Sequence, residues 1–67
     1  MRTRIEPGQV WREVRGRDKD VEWVILYVWP KKVQVQRLRG PHEEHAITRK
    51  HLRKLCEYER WSSVALR

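Results

Sequence analysis

The chain has 67 residues, enough for one domain but too few for a deep catalytic cleft beside a hydrophobic core. It carries 16 Lys and Arg against 9 Asp and Glu, a formal net charge of +7, and its single cysteine excludes an internal disulfide. Hydrophobic residues make up 39% of the chain and include four tryptophans, which excludes a purely disordered basic tail.

The N-terminal segment, residues 1–7, contains arginines but no apolar stretch follows it, so we expect no signal peptide. The longest apolar run, residues 23–29, is far shorter than the ~20 residues that span a bilayer. We therefore expect a soluble, cytoplasmic protein with no membrane partner.

The first half of the chain predicts two strands separated by a polar loop. Pro7-Gly8 predicts a turn, and residues 9–15 then alternate between two faces as a strand does. Residues 16–20 are polar and predict a loop. Residues 21–29 are rich in β-branched and aromatic side chains and predict the strongest strand, with two apolar faces. One face would carry Val24, Leu26 and Val28, and the other Trp23, Ile25, Tyr27 and Trp29; Trp11, Trp23 and Tyr27 are expected in the core or a barrel seam.

A hairpin follows. Pro30 ends the second strand because proline cannot donate a hydrogen bond to a sheet. Residues 33–38 alternate between inward valines and outward Gln34 and Gln36, which predicts a third strand. The short link between the two strands favours an antiparallel hairpin.

Residues 42–61 fit two interpretations. As a helix, Ile47, His51, Leu55 and Tyr58 recur at steps of four, four and three. As strands, residues 46–48 form a fourth strand on the third, and residues 58–61 form a fifth. In that case a short 3₁₀ or helical turn near 50–56 places two leucines over the core.

The order of these segments resembles small SH3-like barrels. The resemblance lies in Pro7-Gly8-Gln9-Val10-Trp11, a loop, a long apolar strand, Lys32-Val33-Gln34-Val35, then Ile47, Leu52 and Tyr58. It is similar to short uncharacterised phage and bacterial proteins that open with a Pro-Gly-x-Val-Trp-like segment, and it covers about residues 7–61. The resemblance implies an all-β, SH3-like five-stranded barrel. The termini outside residues 7–61 are expected to fray, as exposed chain ends often do. The alternative is a three-stranded antiparallel sheet plus one C-terminal helix.

The excess positive charge lies in two blocks. Residues 31–39 and residues 49–54 each carry four basic and no acidic side chains. If the blocks adjoin in space, they form one patch that attracts phosphates in a salt-dependent way.

We therefore predict a non-enzymatic domain that binds DNA or RNA. Lys and Arg would hold the backbone, glutamines would reach base edges, and an exposed aromatic would stack on a base. The predicted site comprises Trp29, Lys31, Lys32, Gln34, Gln36, Arg37, Arg39, Arg49, Lys50, Arg53 and Lys54. The alternative is a protein–protein interaction module, such as a phage-encoded inhibitor or adaptor of a host protein, or one that pairs with itself.

No catalytic, metal or cofactor site is predicted. His42, His45 and His51 precede Cys56, but the paired ligands typical of structural zinc are missing from the sequence. Cys56 itself is interpreted as a small buried hydrophobe, with a reactive thiol as the alternative because Arg53, Lys54 and Arg60 are near in sequence.

Overall fold

A computed structural model describes residues 3–16 and 19–62, which form one antiparallel sheet and one short helix. The strands neighbour one another in the order β4-β3-β2-β1-β5, and the sheet is open, with β4 and β5 at its edges. The elements are β1 (Gln9–Glu13), β2 (Glu22–Val28), β3 (Lys32–Arg37), β4 (Glu44–Thr48), α1 (Arg49–Leu55) and β5 (Cys56–Trp61).

The predicted five antiparallel strands are confirmed, as is the β2–β3 hairpin. Closure into a barrel is not seen in the strand pairing. The alternative of three strands and a C-terminal helix is wrong, because residues 44–48 and 56–61 pair with β3 and β1.

Helix α1 is short because both of its ends are fixed by neighbouring strands. Thr48 is extended and its hydroxyl accepts a hydrogen bond from the His51 amide at 3.0 Å, which caps the first turn. At the other end Cys56 returns to an extended conformation and its side chain enters the core. The helical spacing of the sequence therefore applies only to residues 49–55.

The main core cluster lies on one face of the sheet, beneath α1, whereas Val10 and Val24, which pair with each other, are buried on the opposite face. It is formed by Ile5, Trp11, Ile25, Val33, Val35, Leu52 and Cys56, of which Ile25, Val33 and Leu52 are completely buried. Trp23 is half-buried and packs against this cluster, so the prediction of Trp11 and Trp23 in the core holds. We call the face that carries the core the inner face of the sheet.

The N-terminal segment joins the core through a buried glutamine. The Gln9 amide oxygen accepts hydrogen bonds from the Trp11 indole at 3.0 Å and the Glu6 amide at 2.9 Å. Its amide nitrogen donates to the Arg4 carbonyl at 2.7 Å, so Gln9 is satisfied although only 3% exposed. The folded core thus begins before residue 7, at Ile5. Of the termini predicted to fray, residues 1–2 and 63–67 lie outside the described part of the chain.

A β-bulge in β2 overturns the predicted assignment of its faces. Ile25 pairs with Val35 and Tyr27 with Gln34, so Leu26 is an extra residue in β2 with no partner in β3. Tyr27 therefore lies on the face of Gln34, opposite to that of Ile25, and is 57% exposed. The prediction of Tyr27 in the core is wrong, because strict alternation stops at the bulge. No helix in the described part of the chain is long and apolar enough to cross a membrane.

Candidate nucleic-acid interface

The two basic blocks of the sequence meet where α1 begins. The Arg49 amide donates to the Lys31 carbonyl at 3.2 Å, and the Arg49 guanidinium donates through Nε to the Trp29 carbonyl at 3.0 Å. Lys32 lies opposite Thr48 in the β3–β4 ladder. The turn after β2 is therefore joined to the first turn of α1. We call the surface formed by Tyr27, Trp29, Lys31, Lys32, Arg49 and Lys50 the hairpin patch.

The lysines of this region are exposed and lack carboxylate partners. Lys31, Lys32, Lys50 and Lys54 are all exposed, and none has an ion pair within residues 3–16 and 19–62. An ammonium group that no carboxylate neutralises is available to a phosphate. The charge of the hairpin patch is therefore directed to solvent.

Helix α1 extends the hairpin patch along the surface. Arg49, Lys50, Arg53 and Lys54 line a shallow groove of about 690 Å³. Arg53 is also tied to the fold, because it donates through Nη2 to the Thr3 carbonyl at 2.8 Å and lies 5.8 Å from the centre of the Trp11 ring. Arg53, which was predicted to bind nucleic acid, therefore also holds the N-terminal segment and Trp11 in the fold.

Two aromatic rings lie beside the cations. Tyr27 is 57% and Trp29 46% exposed, and their ring centres are 6.0 Å apart with the planes inclined by 31°. Trp29 is one of the residues that the sequence proposed for stacking. Tyr27 was not, because the bulge that turns it outward leaves no mark in the alternation of the sequence.

The remaining predicted site residues lie in three other places. Gln34 and Gln36 lie on the outer face, as expected, and the Gln34 amide donates to a Glu44 carboxylate oxygen at 3.0 Å. Arg37 is paired with Trp23 and lies on the inner face. Arg39 lies 3.6 Å from Glu22. These two arginines are not part of the hairpin patch.

Arg37 lines a groove of about 310 Å³ at the end of the core. Trp23, Glu43, His45, His51 and Cys56 also contribute to its walls. The His45 ring meets Trp23 edge-on, with ring centres 5.4 Å apart. In the described residues, no group of three or more His, Cys, Asp or Glu side chains is arranged to hold a metal ion.

Cys56 is a buried hydrophobe, as expected. It is 6% exposed, and burial, aided by the charge of Glu13, raises the pKa of its thiol to about 11. The thiol is therefore protonated at neutral pH, which disfavours the alternative of a reactive nucleophile.

The paired cluster, a second charged surface formed by Arg12, Asp20, Glu22, Arg39, Glu59 and Arg60, lies away from the hairpin patch. Arg60 Nη1 contacts a Glu22 oxygen at 2.5 Å and also contacts Glu59. Arg12 contacts Asp20 at 2.9 Å and Glu59 at 3.4 Å. A hydrogen bond between the two glutamates, together with Arg60, holds the pKa of Glu22 below its ordinary value, whereas the same bond raises the pKa of Glu59.

Comparison with protein-family models, with curated proteins and with solved structures gives no match to this chain.

Proposed function

We propose that this domain binds nucleic acid through the hairpin patch. The observation that carries the proposal is the junction of two basic blocks beside an exposed aromatic pair: Arg49 bonds to the Trp29 carbonyl at 3.0 Å, and the Trp29 ring contacts Tyr27. Cations for phosphates and flat apolar faces for bases are the two elements with which proteins hold nucleic-acid strands.

The number of available cations sets the expected salt dependence. The cations of the hairpin patch are Lys31, Lys32, Arg49 and Lys50, and Lys54 continues the patch along α1. If four or five of these side chains each neutralise a phosphate, log K falls with log salt concentration with a slope of roughly −3 to −4. Binding should therefore weaken by roughly 60- to 250-fold for a fourfold rise in salt.

The fold supports a further, structural proposal: the domain belongs with the SH3-like barrels that its sequence resembles. Five antiparallel strands with a short helix directly before the last strand support this assignment. An experimental structure in which β4 and β5 stay apart, with no pairing that closes the sheet, would contradict it.

Fluorescence-anisotropy titrations of labelled DNA and RNA oligonucleotides at two salt concentrations test the proposed function. The key variant is Lys31→Glu/Lys50→Glu, which reverses two exposed lysines that make no ion pair with a described residue. Arg49 is left intact because its side chain holds the Trp29 carbonyl. We expect the variant to lose about 100-fold or more in affinity at low salt while keeping the wild-type circular dichroism spectrum.

Lys19→Glu is the matched control, since Lys19 is exposed on the loop before β2 and outside the hairpin patch. Reversing this one lysine should weaken binding less than about threefold, through net charge alone. Because Lys19→Glu is a single substitution, its affinity is compared with those of the single variants Lys31→Glu and Lys50→Glu. Binding that is indifferent to salt, or equally weakened by Lys19→Glu and Lys50→Glu, would contradict the proposal.

The second candidate function, protein recognition, is favoured by edge strand β5. This strand leaves one row of backbone groups outside the sheet and carries Trp61, which is 55% exposed. Light scattering after nuclease treatment, for wild type and Trp61→Lys, tests pairing of two copies through this edge. A monomer for both at 100 μM would contradict it.

A further inference from the structure

We propose that the ligand of the hairpin patch is a single strand whose unpaired bases stack on Tyr27 and Trp29, an inference that rests on the nucleic-acid-binding function proposed above. The cations of the patch would hold the phosphates of that strand. The rings, which the fold turns away from the core, would select unpaired bases over a duplex.

The outward direction of both rings is built into β2. Because Leu26 is bulged, Tyr27 pairs with Gln34 and Val28 pairs with Val33, so Val28 rather than Tyr27 faces the core. Trp29 follows Val28 and lies beside Tyr27 on the outer face, where the two rings touch. The bulge thus places two adjacent aromatic side chains in solvent while a valine fills the core.

Neither ring belongs to the core cluster of the described residues or packs against it. Trp11, by comparison, is 3% exposed and its indole donates to Gln9, whereas Trp29 keeps 46% and Tyr27 57% of its surface in contact with solvent. Exposed apolar surface of this kind marks an interaction site when it is contiguous. The ring centres of Tyr27 and Trp29 are 6.0 Å apart, so the exposed surface of the two rings is contiguous.

The polar groups around the rings suit a base. The Gln34 amide, across the ladder from Tyr27, is held by one N–H on Glu44 at 3.0 Å. Its amide oxygen accepts no hydrogen bond from the described residues and can accept one from an exocyclic amine. Lys31 and Lys32 follow Trp29 along the chain, within reach of the phosphates that flank a stacked base.

Stacking excludes a duplex as the preferred ligand. In a double helix the faces of the bases cover one another, and only their edges and the phosphates are accessible. Aromatic side chains stack on bases that are unpaired and splayed out. A duplex could contact the lysines of the hairpin patch, but neither ring could stack on its bases. The domain measures only 25 × 25 × 21 Å, which fits a footprint of roughly four nucleotides, the lower end for such sites.

Titration of wild type and Tyr27→Ala/Trp29→Ala with a 12-nucleotide single strand, as DNA and as RNA, and with a 12-base-pair duplex tests the inference. We expect wild type to bind a single strand more tightly than the duplex. The double variant should lose roughly 10- to 100-fold in single-strand affinity with an unchanged salt slope, and less than about threefold for the duplex. The two single-strand arms identify whether DNA or RNA is preferred.

Trp61→Ala is the matched control, because Trp61 is as exposed as Tyr27 but pairs with Gln9 at the far edge of the sheet. It should leave single-strand affinity within about twofold of wild type if stacking is confined to the two rings. A second readout is direct: in a Trp61→Phe background, single-stranded ligand should quench tryptophan fluorescence, and the further change Trp29→Phe should abolish most of that quenching while retaining most of the affinity.

The outcomes separate this inference from the proposed function. If Lys31→Glu/Lys50→Glu abolishes binding but the loss of both rings does not weaken single-strand binding, the domain binds nucleic acid and the stacking inference is wrong. Equal losses for single strand and duplex would also overturn it. If neither ligand binds wild type at low salt, both proposals fail. Circular dichroism and the urea midpoint establish that each variant is folded, as expected for exposed side chains.

Discussion

The hairpin patch and the paired cluster both gather several cations on the surface, but those cations have different surroundings. In the paired cluster, Arg12 and Arg60 contact carboxylates within 3.4 Å, and Arg39 lies 3.6 Å from Glu22. In the hairpin patch, the lysines contact no carboxylate of the described residues. The first set of charges is occupied within the fold, and the second is available to a ligand.

This difference shows why net charge alone is a poor guide to a binding surface. Arg39 belongs to the same basic block as Lys31 and Lys32, yet it lies beyond the opposite end of β3 and beside Glu22. Lys50 lies in the other block and is 18 residues further along the chain than Lys32, yet α1 begins beside the hairpin turn. Which cations act together depends on strand pairing rather than on nearness in sequence.

The largest expected effect comes from a substitution in the core beneath the hairpin patch. Leu52 is completely buried and fixes α1 to the core, whereas the paired cluster lies mostly on β1, β2 and β5. Leu52→Ala should lower the free energy of unfolding by about 2–5 kcal/mol in urea titrations, because it leaves a cavity under α1. Leu52→Met, which keeps the volume, should cost less than about 1.5 kcal/mol and retain binding. A loss below about 1 kcal/mol for Leu52→Ala would mean that α1 is not seated as described.

A smaller effect distinguishes the two surfaces directly. Arg60→Gln removes the cation between Glu22 and Glu59, so it should lower the urea midpoint of unfolding and leave nucleic-acid affinity within about threefold. Lys50→Gln should do the reverse, with stability within about 0.5 kcal/mol of wild type and affinity lowered about three- to tenfold. Urea denaturation and anisotropy titration of both variants measure the two quantities.

The distinction between the two surfaces is wrong if Arg60→Gln and Lys50→Gln have the same effects. Equal losses of affinity would mean that the paired cluster also contacts the ligand. Equal losses of stability would mean that Lys50 has a role in the fold. Either result would remove the distinction between occupied and available cations on which the proposed function depends.

Much of this fold follows from local patterns in the sequence. The alternation of valines and glutamines in residues 33–36 fixes which face of β3 meets the core, and Pro30 marks the end of the strand before it. For α1 and β5 the local pattern left two interpretations, because residues 47–58 also fit a helical period, and the resemblance to SH3-like barrels favoured the one that the structure shows. Thr48 caps the helix and Cys56 enters the core, and neither event is specified by spacing alone.

The candidate site was less accessible to prediction than the fold. Trp29 and the lysines could be proposed from composition, but Tyr27 could not, because one bulged residue reverses the face of everything that follows it in a strand. Arg37 was assigned to the site because it lies in a basic block, whereas its pairing with Trp23 places it on the inner face. Register, which decides both cases, is a property of the whole sheet.

The smallest expected effect is a pH dependence confined to the paired cluster. The hydrogen bond with Glu59 and the contact with Arg60 hold the pKa of Glu22 below its ordinary value of 4.5. A lowered folded-state pKa stabilises the fold above pH 4.5, and this contribution is lost as the pH falls through the lowered value. The pKa of Glu59 is raised, so its contribution to stability changes with pH in the opposite sense and offsets part of that of Glu22. The net change in stability with pH is therefore small.

Glu22→Gln tests which of the two dependences dominates, because it removes the Glu22 carboxylate and with it the cause of the raised pKa of Glu59. The difference in unfolding free energy between wild type and Glu22→Gln should be largest near pH 7 and should shrink as the pH falls below 4.5, in urea titrations at pH 7, 5 and 3.5. Glu57→Gln, on the same strand as Glu59 but without an ion pair to any described residue, should show no such trend. A gap that widens toward acid pH would mean that the glutamate pair, rather than its arginines, dominates the energetics of the paired cluster, since protonation then relieves a repulsion instead of breaking an ion pair.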